Sequence, residues 1–340
     1  MLNVQKYLAA ICLVASIAPA QARDYRYSDA HLHLVDFFQE SAGIEKLIEA
    51  MDEGGIDHVM VSGIPVAKKW HENEPKRPRY YAGDDAPVYW YSATDMIVAA
   101  AMEELDEQQR LRFHPFLSGF NPNDKNAATH IRRMLELNPG LWQGIGEVFT
   151  RHDDITALTE GDTPRANNEA LAKVYHLAAE FDLPVMLHSN ITSKRERNPL
   201  YLGELEEPLR NHPHTRFIWA HAGTSMELHR HQEQLDFLLP TVSRLLDDYP
   251  NLHIDLSWTM LKPYLLNAEG TPRKEWLELV ERHPTRFMLG SDVVGRFDSL
   301  AEGMQAFVPF LDALPKKVAN QVALDNFLAI LPRKRQAQVR

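Results

Sequence analysis

Ser28-Asp29-Ala30-His31-Leu32-His33 opens the first regular segment of the chain. In an extended strand alternate side chains share a face, so His31 and His33 are predicted to point together into one space while Leu32 turns toward a core. Two converging imidazoles are half of a metal site. The pair alone is not specific, because histidine is also common on surfaces and at strand ends. Its meaning depends on the rest of the chain. Helix-forming sequence comes next at 43–53, with Ile44, Leu47, Ile48 and Met51 at helical spacing ahead of Gly54 and Gly55, and then a β-rich run at 56–62.

That order repeats. Further strands are expected at 112–119, 141–149, 183–189, 216–221, 251–257 and 286–292, each preceded by helix-forming sequence at 92–108, 125–137, 168–181, 202–211, 239–249 and 273–282. Parallel strands need crossover helices, and a sheet covered on both faces reads as short apolar runs, so the pattern predicts a (β/α)8 barrel, the TIM barrel. A doubly wound open sheet is the rival reading, but no G-x-G-x-x-G turn follows the first strand. Without linker, repeat or low-complexity block, 23–340 reads as one domain.

The first segment stands apart from this rhythm. Lys6, an apolar run at 7–17 and the small-residue end Ala18, Pro19, Ala20, Gln21, Ala22 read as a secretory signal, 1–22, cleaved after Ala22. Periplasmic or secreted location, with no membrane attachment after cleavage, is the expectation; Ile11 before Cys12 does not fit a lipid-attachment box. Cys12 is the one cysteine, so the mature chain has no thiol and any metal ligand must be His, Asp or Glu. A net charge of −11 with no basic run argues against a nucleic-acid partner. The expected partner is a small molecule.

Two long insertions follow strand ends, 64–91 with Trp70, Tyr80, Tyr81, Tyr89, Trp90 and Tyr91, and the polar 150–166. Both are expected at the C-terminal mouth of the barrel, where this architecture keeps its active site. The strands place His31 and His33, then Glu147, His188, His221 and Asp292 around the same mouth. Singly, each has an ordinary reading: Glu147 as an ion-pair partner of Arg151, His188 and His221 as core histidines, Asp292 as a helix cap. Together, six residues of metal-ligand type at corresponding strand ends point to a metal site.

This set, in this order, resembles the amidohydrolase superfamily, in particular its amidohydrolase-related branch of small-molecule hydrolases and non-oxidative decarboxylases. The closing segment Leu324, Asp325, Asn326, Phe327 is similar to that branch's terminal Asn-containing helix. The resemblance implies that His31, His33 and Asp292 hold one divalent metal and that His188 and His221 hold a second in two-metal members, bridged by Glu147. Glu147 replaces the carboxylated lysine of the commonest two-metal pattern and resembles the TatD-type variant. In the decarboxylases one metal is usual, His188 remains a ligand and His221 is a catalytic side chain. Zinc is the expected ion, with manganese or iron as alternatives.

Such an ion makes a bound water acidic near neutral pH; Asp292 is expected to take and return its proton, and His221, if free, to help polarise the carbonyl. Arg151 and Trp258 are the candidate substrate contacts, with His152 beside Arg151. Arg230 reads as a solvated charge, as do Lys68, Lys69, Lys194, Arg195 and Arg197, and His114 reads as structural. The expected activity is an exported metal-dependent hydrolase acting on an ester, lactone or amide. A metal-dependent decarboxylase is the alternative, and a non-catalytic metal or solute binder a third reading. A TatD-type nuclease is disfavoured by the acidic charge.

Overall fold

Short runs buried on both faces become the strands, as a parallel sheet covered inside and out requires. They are β1 (Tyr27–Asp29), β2 (Ile56–Val61), β3 (Phe113–Leu117), β4 (Gly144–Thr150), β5 (Val185–Ser189), β6 (Phe217–Trp219), β7 (Leu252–Asp255) and β8 (Phe287–Met288). The structure, a computed structural model, describes residues 24–152, 155–334 and 338; the segment 1–22, read from sequence as an export signal, lies outside them. The eight strands lie side by side in chain order, all parallel, in a nearly closed barrel. Closure is completed above β1 and β8: Ala30 N donates to Leu289 O at 2.8 Å, and Leu32–His33 pairs in parallel with Val293–Val294.

The last strand is shorter than its expected span of 286–292. Gly290 explains the break, because a Cβ there would come within 2.5 Å of Asp255 Oδ1 and 2.7 Å of the His31 Cβ. The chain passes so close to its neighbours that only glycine fits. Asp29 then pins the two ends together, its carboxylate accepting from Ser291 N, Ser291 Oγ and His31 N.

Helices Ile44–Gly54, Thr94–Glu103, Ala127–Leu137, Glu169–Glu180, Leu202–Asn211, Leu238–Asp248 and Lys274–Arg282 fill the crossovers. The helix expected over 92–108 ends early because Asp106 starts a separate turn, Glu107–Arg110: its side chain accepts from Gln109 N while the Gln109 side chain accepts from Asp106 N. Each crossover helix buries one stripe. Lys274–Arg282 buries Trp276, Leu279 and Val280, each contributing roughly 1.5–3 kcal/mol of hydrophobic stabilisation.

Inside the barrel, Met60, Phe116, Met186, Ile218 and Met288 form an apolar layer below the mouth. The closing segment plugs the opposite end with Phe327, Ile330 and Leu331. Asn326 Nδ2 donates to Pro284 O and Phe287 O, and Ser28 Oγ donates to Leu324 O. His114 lies at this floor, 3.2 Å from His58 and 2.8 Å from Gln143 Oε1.

The insertion 64–91 is ordered by an antiparallel pair, Val66–Lys68 with Val88–Trp90, and by Lys68. Lys68, read from sequence as an exposed charge, is buried: its ammonium donates to Arg79 O, Tyr81 O and the Asp84 carboxylate. A coil with few ladder bonds needs another source of partners for its carbonyls, and one ammonium supplies three donors. Lys69 does stay at the surface, where it joins the two insertions through Glu160 at 2.7 Å.

Candidate metal centre

The ligand types reach the mouth because the backbone bends sharply at several strand ends. His221 (φ 36°), Ala222 (φ 50°), Trp258 (φ 36°) and Asp292 (φ 54°) occupy left-handed conformations, which cost non-glycine residues on the order of 1–3 kcal/mol each and collect at functional sites. Hydrogen bonds hold two of them: His221 N donates to Asp255 Oδ2 at 3.2 Å and Asp292 N to His31 O at 2.7 Å. Glu147 is admitted by its neighbour, since a Cβ on Gly146 would meet Met186 O at 2.4 Å.

All six ligand-type residues named from the sequence converge. They form two groups, His31–His33–Asp292 and Glu147–His188–His221, and within each the potential ligand atoms lie within 4.8 Å of one another. Glu147 lies between them. Its Oε2 is 3.5 Å from His31 Nε2 and 3.3 Å from His33 Nε2, while its Oε1 is 3.0 Å from His188 Nδ1 and 3.9 Å from His221 Nε2. Asp292 Oδ1 faces the first pair, 3.5 Å from His31 Nε2 and 3.6 Å from His33 Nε2.

Three of the imidazoles are oriented from behind. Asp255 Oδ2 takes His31 Nδ1–H at 2.8 Å, Gly63 O takes His33 Nδ1–H at 3.2 Å, and Asn190 Oδ1 takes His188 Nε2–H at 3.1 Å. In each ring the remaining nitrogen is left for the cluster, the arrangement by which metal-ligating histidines are usually held. His221 lacks such support: its Nδ1 has no hydrogen-bond partner among the described residues.

A family model described as Amidohydrolase matches residues 28–333. The chain belongs to the amidohydrolase family. No curated protein matches it. Among solved structures it is similar to a probable 2-pyrone-4,6-dicarboxylic acid hydrolase from Acinetobacter baumannii (13% identity, 90% of this chain and 98% of that one, TM-score 0.54). It is also similar to a 5-carboxyvanillate decarboxylase from Sphingomonas paucimobilis (13%, 90% and 99%, 0.52) and to an amidohydrolase from Burkholderia multivorans with bound zinc (14%, 90% and 98%, 0.52). At these identities the likeness is one of fold.

The donor set of this amidohydrolase fits a divalent cation. His31 Nε2 is fully buried and, among the described residues, lacks a hydrogen-bond partner while two carboxylates face it, a costly arrangement unless a cation or proton joins it. Burial disfavours charge on His31, yet Asp292, Glu147 and Asp255 outweigh it and raise the imidazole well above its usual range. Burial alone would raise Glu147, but His31 and His188 hold it well below the usual carboxylate range. Burial, with Glu147 adding to it, pushes Asp292 up to about 6. Burial and then His188 lower His221 to about 3, and the same two causes lower His152 strongly, so both rings are neutral at pH 7.

The site lies in a cavity of about 50 Å3 whose walls include Trp258, His152 and Arg230. His152 stacks on His188 with centroids 4.0 Å apart. The two arginines part ways. Arg151 turns away, pairing with Glu204 and stacking over Tyr201 at 4.2 Å, because its left-handed backbone (φ 44°) aims it at helix Leu202–Asn211. Arg230 is exposed, as read from sequence, and also borders the cavity from helix Met226–Gln232, held by Glu227 at 2.7 Å. Asp255, near the mouth by its place in the strand, carries no role in the sequence reading. It shares the inward phase of β7 with Ser257, but only the closed barrel brings it to His31.

Proposed function

We propose that the protein is a metal-dependent hydrolase that opens an ester, lactone or amide carbonyl in a small organic molecule. The observation that carries this reading is the two-sided position of Glu147, one oxygen toward each histidine group. His31, His33 and Asp292 would hold one cation, His188 and His221 a second, with Glu147 between. Zinc suits a set of imidazoles and carboxylates best, and the zinc of the Burkholderia relative supports that choice; manganese or iron are the alternatives. A cation bound here lowers the pKa of its water from ~15.7 toward ~7 and polarises a carbonyl.

The chain's own groups do the rest. Asp292, ionised above about pH 6 even without a cation, is the proton acceptor and later the donor to the leaving group. His152, neutral and lining the cavity beside His188, is placed to donate its ring N–H to a substrate oxygen. Trp258 and Arg230 border the substrate space. The apolar segment 1–22 supports export to the periplasm or beyond.

A one-cation decarboxylase is the second reading. The looser His221, at 3.9 Å from Glu147 against 3.0 Å for His188, favours it, and the 5-carboxyvanillate decarboxylase shares the fold. Metal analysis with product analysis on lactones, esters, amides and aromatic carboxylates separates the two. Two cations per chain and water-consuming turnover support the hydrolase; one cation and released carbon dioxide overturn it. Asp292→Asn is expected to lower kcat by about 10²–10⁴. A non-catalytic binder has no turnover to lose, and undiminished turnover in that variant refutes the role given to Asp292.

A further inference from the structure

The inner cavity, at about 50 Å3, has room for a few waters and not for an organic substrate. Beside it lies a second cavity of about 490 Å3, large enough for one. The two share Tyr81, Trp258, Asp292 and Val294 as walls. Tyr81 and Trp258 meet edge to face across the boundary, ring centroids 5.9 Å apart. Tyr81 belongs to the insertion 64–91 and is fixed through its carbonyl by Lys68; Trp258 stands on strained left-handed backbone just past β7 and is 36% exposed. Beyond them the outer chamber offers apolar surface from Leu261 and Phe307, with Arg296 stacked over Tyr80 at 4.3 Å and Glu302 at its wall.

We infer that the substrate spans both chambers, its scissile carbonyl in the inner one and a flat, aryl-type group in the outer one, with Tyr81 and Trp258 parting to admit it. This rests on the reading of the metal centre as a carbonyl hydrolase. The mismatch in volume requires that most of a substrate lie outside the inner chamber, and Asp292, bordering both, stands at the threshold. Aromatic walls select flat rings by offset and edge-on contact. The substrate class is then an arylalkanoyl ester, amide or fused lactone.

Gly303 makes the outer chamber testable without touching the ligand set. It lines that chamber from helix Leu300–Gln305, and a Cβ added there meets no atom within 4 Å. Gly303→Phe is expected to fold and to fill the space; Ser299→Trp, from the same wall and not bonded as a helix cap, takes its place if it does not fold.

Binding of 4-fluorophenylacetate to zinc-supplemented protein is followed by fluorine NMR, and ethyl phenylacetate is compared with ethyl acetate as substrate. The filled variant is expected to weaken binding of the probe about tenfold or more, and to lower the phenylacetate-to-acetate ratio of kcat/KM by a similar factor. No binding to the natural protein, or equal binding to the filled variant, overturns the inference. If no carbonyl substrate of any kind is turned over, the hydrolase reading fails, and the NMR comparison still decides whether the outer chamber takes an aryl group.

Discussion

Buried histidines lie at both ends of this barrel and are satisfied in different ways. At the floor, His114 bonds to the His58 ring and the Gln143 amide at ordinary hydrogen-bond distances of 3.2 and 2.8 Å. At the mouth, the Nε2 atoms of His31 and His33 face Glu147 and Asp292 at 3.3 to 3.6 Å, too long for good hydrogen bonds, while Asp255 and Glu147 approach His31 Nδ1 and His188 Nδ1 at 2.8 and 3.0 Å. Ring and amide partners at close range complete an imidazole. Carboxylates held back from it leave space for a cation. Histidine burial is therefore common to both ends, and the gathering of several imidazoles around shared carboxylates separates site from structure.

Glu147→Gln strikes that contrast hardest. Removing the charge shared by the two groups is expected to lower the metal bound per chain, and turnover by roughly 10²-fold or more, read by metal analysis and kcat. Asp255→Asn leaves the ligands in place but weakens the grip on His31; cation affinity is expected to fall about 10–100-fold by chelator competition.

Acidity sharpens the comparison further. In the cation-free protein His31 is raised and so keeps its proton through neutrality, while Asp292, raised to about 6, gains one below that pH. Cation uptake must expel these protons, so affinity is expected to rise with pH, by about tenfold per unit for each proton released, with acid release detectable in weakly buffered solution. The smallest effect on the site is expected from the floor. His114→Ala should cost about 1–3 kcal/mol of stability by depriving buried Gln143 and His58 of a partner, measured by denaturant titration, with metal content unchanged. Loss of metal in that variant would erase the distinction between the two ends.

Much of the fold was legible because barrel strands and crossover helices write their periods directly into the chain. The alternation of 56–62, 112–119 and 183–189 with helical stretches carries the architecture, and the ligand types stand in the first run and near the ends of 141–149, 183–189, 216–221 and 286–292. The polar contacts of the loops were less legible. Lys68 looks like any loop lysine until the carbonyls of Arg79 and Tyr81 fold over it, and Arg151 and Arg230 differ in role only through backbone direction and the nearest carboxylate.

The amino-acid sequence by itself determined the barrel and which side chains could ligate, since both follow from local period and residue type. Only the tertiary structure decided that Glu147 faces both histidine groups, that Asp255 stands behind His31, and that one arginine borders the cavity while another leaves it. Those outcomes depend on contacts between residues up to 224 positions apart. A strand's period tells on which face a side chain lies; what it meets there depends on how distant strands close around it.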